Sequence, residues 1–265
     1  MKIEHLLHRG LPLSLSRWTD VAHWYKPWLR DLITRQGFVF APDPEDGLMK
    51  KWSLHPDEVH SLFFWTKHPG ALLSPLMTWL APYRVYTAVT ITGWNDREPR
   101  APAFEVQLQG LRDLVELVGP DKVCVRFSPV PTDLFVNGDR YQRWLDICEE
   151  TRNLGLRLDV SLLHDARHEY EGGTRLEIME RILLDAHDLE PGFCGFDAQL
   201  LHDAGVDFRR AECLDANYLG GLFGIPSSAR REEQCDCLLS VDPCLGPKFG
   251  CGSGCSYCYA PYTKS

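Results

Sequence analysis

The stretch that decides the fold reads Phe104-Glu-Val-Gln-Leu-Gln-Gly-Leu-Arg-Asp-Leu-Val-Glu-Leu-Val118, Gly119-Pro120-Asp-Lys122, Val123-Cys-Val-Arg-Phe127. Phe104, Leu108, Leu111, Val115 and Val118 recur at steps of four and three, which is one face of a helix. Gly119-Pro120 stops that helix, because glycine takes the conformation a helix end needs and proline cannot continue one. Lys122 to Phe127 then reads as a strand, apolar from Val123 onward except for Arg126. A helix that feeds a buried strand is half of a parallel β–α unit.

The same alternation extends both ways. Upstream, Leu11 to Ser16 alternates as a strand does, and a helical stretch runs from Val21 to Gln36, closed by Gly37. Pro27 inside it predicts a kink or a later start. Ser61 to Thr66 reads as a buried strand. Pro69-Gly70 opens a segment ending near Ala81, and Tyr83 to Thr92 is a strand ended by Gly93. Downstream, Tyr141, Trp144, Leu145 and Cys148 mark a helix ending at Gly155, and Leu156 to Leu163 alternates again. Leu176, Met179, Leu183 and Ala186 mark a further helix, and Gly205 to Phe208 a short strand.

About six β–α units result, fewer than the eight of a closed barrel. The expected fold is α/β, a partial TIM-like (β/α)6 barrel with a C-terminal Cys-rich cluster-binding loop. Near residue 215, Gly, Pro, Ser and Cys take over. The expected organisation is therefore a barrel over 1–215 and a Cys-rich segment over 216–265, packed on the barrel mouth.

Composition narrows the function. The 265 residues are 44% hydrophobic and 25% charged, ordinary for a globular chain. No apolar run approaches the ~20 residues of a membrane span. Met1-Lys-Ile-Glu-His-Leu-Leu-His8 carries no signal-peptide pattern, so a cytoplasmic location without membrane partners is expected. The net charge of −9 weighs against nucleic acid, whose phosphates call for a basic surface.

Ten cysteines without an export signal favour metal ligation over disulfides. Six of them follow residue 234. The last three stand as Cys251-Gly-Ser-Gly-Cys255-Ser-Tyr257-Cys258. Three thiolates at this C-x3-C-x2-C spacing can hold three irons of a 4Fe–4S cluster and leave the fourth iron open. Zinc is the competing reading, although zinc sites favour paired C-x2-C units and a fourth ligand. Cys235 and Cys237, with Cys244 or Cys213, are candidate ligands for a second metal or cluster. An auxiliary cluster, zinc and no metal all remain open there.

The spacing resembles that of radical S-adenosylmethionine enzymes. The chain as a whole resembles an uncharacterised family, a domain of unknown function with this motif at its C-terminus. The markers are Ser14-Leu-Ser-Arg17-Trp-Thr-Asp20, Phe64-Trp-Thr-Lys67-His-Pro69, Thr90-Ile-Thr92-Gly93, Glu98-Pro99 and Val125-Arg-Phe-Ser-Pro129. The end is marked by Cys235-x-Cys237-x2-Ser240-x-Asp242 and the Cys251 motif followed by Tyr259-Ala260. Cys244 is extra relative to that pattern.

The resemblance implies a 4Fe–4S cluster on Cys251, Cys255 and Cys258, with S-adenosylmethionine on the open iron. It further implies reductive cleavage of that cofactor, an electron donor such as ferredoxin or flavodoxin, and a small-molecule substrate. It places Tyr257 beside the adenine, where stacking is physically reasonable. A nucleic-acid repair lyase of the same radical type, and a non-enzymatic metal-binding protein serving structure or redox sensing, are the alternatives.

Polar residues near strand ends are the remaining candidates for substrate contact: Arg17, Asp20, Lys67, Thr92, Asp159 and Glu212. Arg126, in its apolar strand, needs a carboxylate or a bound anion. It is expected to face the barrel mouth, toward the substrate or the cofactor carboxylate, or else to pair internally with Asp20 or Asp159. His164-Asp-Ala-Arg-His168 lacks the glutamate of a zinc-protease motif and reads as the start of a surface helix. Gly220-Gly221 lacks the acidic residue of a glycine-rich S-adenosylmethionine motif.

Overall fold

The computed structural model describes residues 12–163, 170–224, 237–243 and 250–258. Its centre is one parallel sheet of seven strands: β1 (Leu13–Ser14), β4 (Leu62–Thr66), β5 (Val85–Thr90), β6 (Val123–Phe127), β7 (Arg157–Val160), β8 (Gly192–Phe193) and β9 (Arg209–Arg210). They neighbour one another in chain order, and every pairing is parallel. A separate antiparallel hairpin, β2 (Phe38–Pro42) and β3 (Met49–Ser53), lies between β1 and β4 in the chain.

Eight α-helices are present among the described residues: α1 (Val21–Trp24), α2 (Lys26–Asp31), α3 (Gly70–Met77), α4 (Phe104–Val118), α5 (Gly138–Asn153), α6 (Arg175–Asp185), α7 (Gly195–Asp203) and α8 (Ala216–Phe223). The Pro27 kink takes the form of a break at Tyr25. Leu32–Gln36 then winds as a π-helix, and Gly37 closes it at φ 68°, where a side chain would be strained. α4 spans the residues its periodicity predicts and buries Phe104, Leu108, Leu111 and Leu114. α6 begins at a capping box, with Glu177 N donating to Thr174 Oγ1 and Thr174 N to Glu177 Oε2.

Three elements differ from the sequence expectation. The sheet has seven strands where about six units were counted; β8 is two residues long, too short for any periodicity to reveal. The last strand lies at Arg209–Arg210 rather than Gly205–Phe208, because Val206 and Phe208 pack against the core while Arg209 pairs with Gly192. The hairpin over 38–53 was not anticipated. His164–His168 lies outside the described residues.

The two faces of the sheet do different work. Phe64, Val89, Val125, Phe127, Leu158 and Val160 belong to the main core, with Trp144 of α5 resting on Phe127 at 4.6 Å between ring centroids. On the other face Phe63, Tyr86, Ala88 and Cys124 pack with Leu214, Leu219 and Leu238. That second face becomes polar toward the strand ends. Thr90, Arg126 and Asp159 stand side by side in register there, followed by Gly192 and Arg209.

No sheet closes. Segment 237–243 nevertheless bonds to both flanks: Leu238 N donates to Leu214 O at 2.9 Å, and Val241 bridges Leu13 in parallel. No helix among the described residues is long and apolar enough to cross a membrane.

Candidate functional site

Parallel strands bring their C-terminal ends to one side, and a cavity of about 640 Å³ opens there. Arg17 and Asp20 reach it from the loop after β1, Trp65 and Lys67 from the end of β4, Thr90 from β5 and Arg126 from β6. Cys213 borders it beyond β9. The opposite wall is the cysteine loop, which contributes Cys251, Cys255, Tyr257 and Cys258.

This loop is bound on two sides. Toward β1, Tyr25 Oη donates to Gly250 O at 2.7 Å and Trp24 Nε1 to Ser253 Oγ at 3.1 Å. Gly252 passes so close to Trp24 that a Cβ would stand 2.5 Å from the indole, so only glycine fits. Toward β5, Ser256 N donates to Arg97 O at 3.0 Å and Arg100 Nη1 to Gly252 O at 3.4 Å. Cys251 and Cys255 are half-buried and Cys258 is exposed. Burial pushes the Cys255 thiol up to about 12.

Among the described residues no three His, Cys, Asp or Glu side chains converge tightly enough to hold an ion. The donor set still fits an iron–sulfur cluster. Three thiols share one short loop and all three border one cavity, which matches the three-cysteine cluster that the resemblance implies.

Beneath Tyr257 lies a carboxylate that sequence reasoning left among the family markers and did not single out. Glu98 is 3% exposed. Its Oε1 accepts from Lys67 Nζ at 2.8 Å, from Thr92 Oγ1 at 2.6 Å and from the Tyr257 hydroxyl. Burial and the Glu98 charge together keep that hydroxyl protonated. The Tyr257 ring stacks on Trp94 at 5.4 Å and 13°. Glu98 thus ties the cysteine loop to the ends of β4 and β5. The sequence signal was Thr92 and Glu98 either side of Gly93; the ion pair with Lys67 depends on the fold.

The remaining candidates separate. Asp20 Oδ2 accepts from Thr66 Oγ1 at 2.7 Å and Lys67 N at 2.9 Å, and burial raises its pKa to about 6. Thr92 bonds Glu98 without bordering the cavity. Asp159 gives its carboxylate to Arg209 at 2.7 Å. Glu212 accepts from Ala216 N at 3.3 Å, at the start of α8. Arg126 faces the cavity, as its strand position predicts, and is half-buried. Its side chain makes no hydrogen bond to the described residues, and neither Asp20 nor Asp159 pairs with it within salt-bridge distance. Burial works against its charge, but Cys213, Cys194 and Asp159 outweigh burial and the guanidinium stays charged.

Over residues 13–260 the chain matches the family described as Domain of unknown function (DUF1848). The chain belongs to the DUF1848 family. The match covers the whole sheet, the cavity and the cysteine loop. No curated protein and no solved structure matches the chain.

The fold of this DUF1848 chain also brings a second group of sulfurs together. Cys213 N donates to Cys237 Sγ at 3.3 Å, and Cys194 and Cys213, both free thiols, line one small recess. The neighbouring Cys194 and Cys237 draw the Cys213 thiol below its ordinary pKa, against burial and with help from Arg126. Cys194 was not a sequence candidate, because only the pairing of β8 with β9 brings it to Cys213. Cys235 and Cys244, the other candidates for a second metal, lie outside the described residues.

Proposed function

We propose that this protein is a cytoplasmic radical S-adenosylmethionine-type enzyme, its open parallel sheet serving as a partial barrel. Cys251, Cys255 and Cys258 would hold a 4Fe–4S cluster facing the cavity. When bound, such a cluster supplies one electron, from a donor such as ferredoxin or flavodoxin, to cleave the sulfonium of S-adenosylmethionine. The observation that carries the reading is the placement of all three motif cysteines on the wall of the cavity at the C-terminal strand ends.

The chain's own residues have separate tasks in this reading. Trp24, Tyr25 and Gly252 hold the loop on one side, and Arg97 and Arg100 on the other. The Lys67–Glu98–Tyr257 chain fixes the aromatic residue beside the last ligand, and Trp94 supports its ring. Trp18, Trp65 and Leu162 line the cavity and limit water. Exclusion of water and orientation of a reactive species are the protein's part in cofactor chemistry.

Protein purified without oxygen tests the assignment. It should hold about four irons and matching sulfide per chain, the stoichiometry of one such cluster. Cys255→Ala should lose both while the helical circular dichroism persists, since the sheet and helices bury their own core. Stoichiometric zinc without iron would contradict the proposal.

A further inference from the structure

Arg126 is a charged side chain left over after the acidic groups around it have been assigned. Its register neighbour Asp159 is held by Arg209, Asp20 is bonded to Thr66 and to the Lys67 backbone, and Glu98 is taken by Lys67. Among the described residues, the thiols of Cys194 and Cys213 line a small recess with it. Thiols are weak acceptors and engage little of a guanidinium fork that carries five N–H donors. Arg126 also borders the large cavity, whose lining includes Thr90 and Thr132.

The charge of the cavity points the same way. On a chain of net charge −9, the lining includes Arg17, Arg97 and Arg126, besides Lys67 with its charge met by Glu98, against the single carboxylate of Asp20. An acidic protein that gathers cations in a cavity favours an anionic occupant. The lining also includes the aromatic residues Trp18, Trp65, Trp94 and Tyr257, which suit a planar or apolar body.

We propose that Arg126 anchors the carboxylate or phosphate of an anionic, ring-bearing small-molecule substrate. This names the substrate class of the cavity assigned above and rests on that reading for the word substrate. The binding itself requires no cluster. A carboxylate or a phosphate presents two oxygens that a guanidinium fork meets with two parallel hydrogen bonds.

Calorimetric titration of the full chain, purified without oxygen, tests this with three probes: benzoate, phenyl phosphate and neutral benzyl alcohol. At least one anion should bind at least tenfold more tightly than benzyl alcohol, and the tighter of the two tells carboxylate from phosphate. Arg126→Gln should weaken that anion at least tenfold. Arg126→Lys, which keeps the charge and loses the fork, should fall between, and it carries the test if the glutamine variant does not fold. Excess S-adenosylmethionine should leave the anion bound. No anion binding, equal binding of benzyl alcohol, an unchanged Arg126→Gln, or displacement by S-adenosylmethionine would each overturn the proposal. Iron measured on the same sample separates the two readings. Absent iron with anion binding sinks the cluster alone, and iron without anion binding sinks this inference alone.

Discussion

Asp159 stands beside Arg126 in the sheet, yet its carboxylate is bonded to Arg209, two strands further on, at 2.7 Å. The intervening residue is Gly192, and a Cβ there would come within 2.5 Å of the Arg209 guanidinium. The missing side chain is what lets Arg209 cross to Asp159. That crossing gives the Asp159 carboxylate to Arg209 rather than to its register neighbour Arg126.

Gly192→Ala should therefore push Arg209 off Asp159. The expected cost is about 1–3 kcal/mol, the usual range for overpacking a filled site, read as a lower urea midpoint at unchanged slope. The freed carboxylate would turn to Arg126, so benzoate or phenyl phosphate binding should weaken as well. Unchanged stability and unchanged anion binding would contradict the role given to Gly192.

Asp20 carries a pH dependence. Its pKa is raised from 3.8 to about 6, mainly because burial disfavours the carboxylate. An acid with a raised folded-state pKa binds more protons folded than unfolded. Its contribution to stability is full below about pH 4 and declines as pH rises to about 6, by on the order of 3 kcal/mol in all. Asp20→Asn can keep an oxygen acceptor for Thr66 and Lys67 N and removes the titration. Urea melts at pH 4.5, 6 and 8 should show the loss in the parent protein and a flatter profile in the variant. Parallel profiles would refute the assignment.

Glu98→Gln removes the countercharge of Lys67, whose side chain is 13% exposed. Breaking a buried pair from one side costs about 3–5 kcal/mol. The lower end applies, because Lys67 borders the cavity and can draw water. The loop should loosen too, since Tyr257 loses its charged acceptor. Faster proteolysis within 250–258 is the readout, and a cleavage rate equal to that of the parent would exclude Glu98 as the tie.

Much of the fold was legible because its periods are long. The face of α4 and the left-handed stop at Gly37 are written in residues that alternate or break as backbone geometry requires. β8 was not, since two residues carry no period. The hairpin was not either. β3 reads Met-Lys-Lys-Trp-Ser, and only Trp52 is buried, so no apolar face marks it as a strand.

At the site, spacing alone brought out Cys251, Cys255 and Cys258, and strand ends brought out Arg17, Asp20, Lys67 and Arg126. Those seven border the cavity. Glu98 and Cys194 were passed over because their significance lies in contacts across the fold, to Lys67 and Tyr257 in one case and to Cys213 in the other. Asp159 was legible as a charged strand residue but not as the partner of Arg209. The register across Gly192 decides that pairing, and composition does not encode it.

The most direct test of the central claim is release of 5′-deoxyadenosine when the reconstituted protein is reduced with dithionite in the presence of S-adenosylmethionine. The parent protein should release it, and Cys255→Ala, folded but without cluster, should release none. Equal release from both, or none from a parent protein carrying its full complement of iron, would contradict the account.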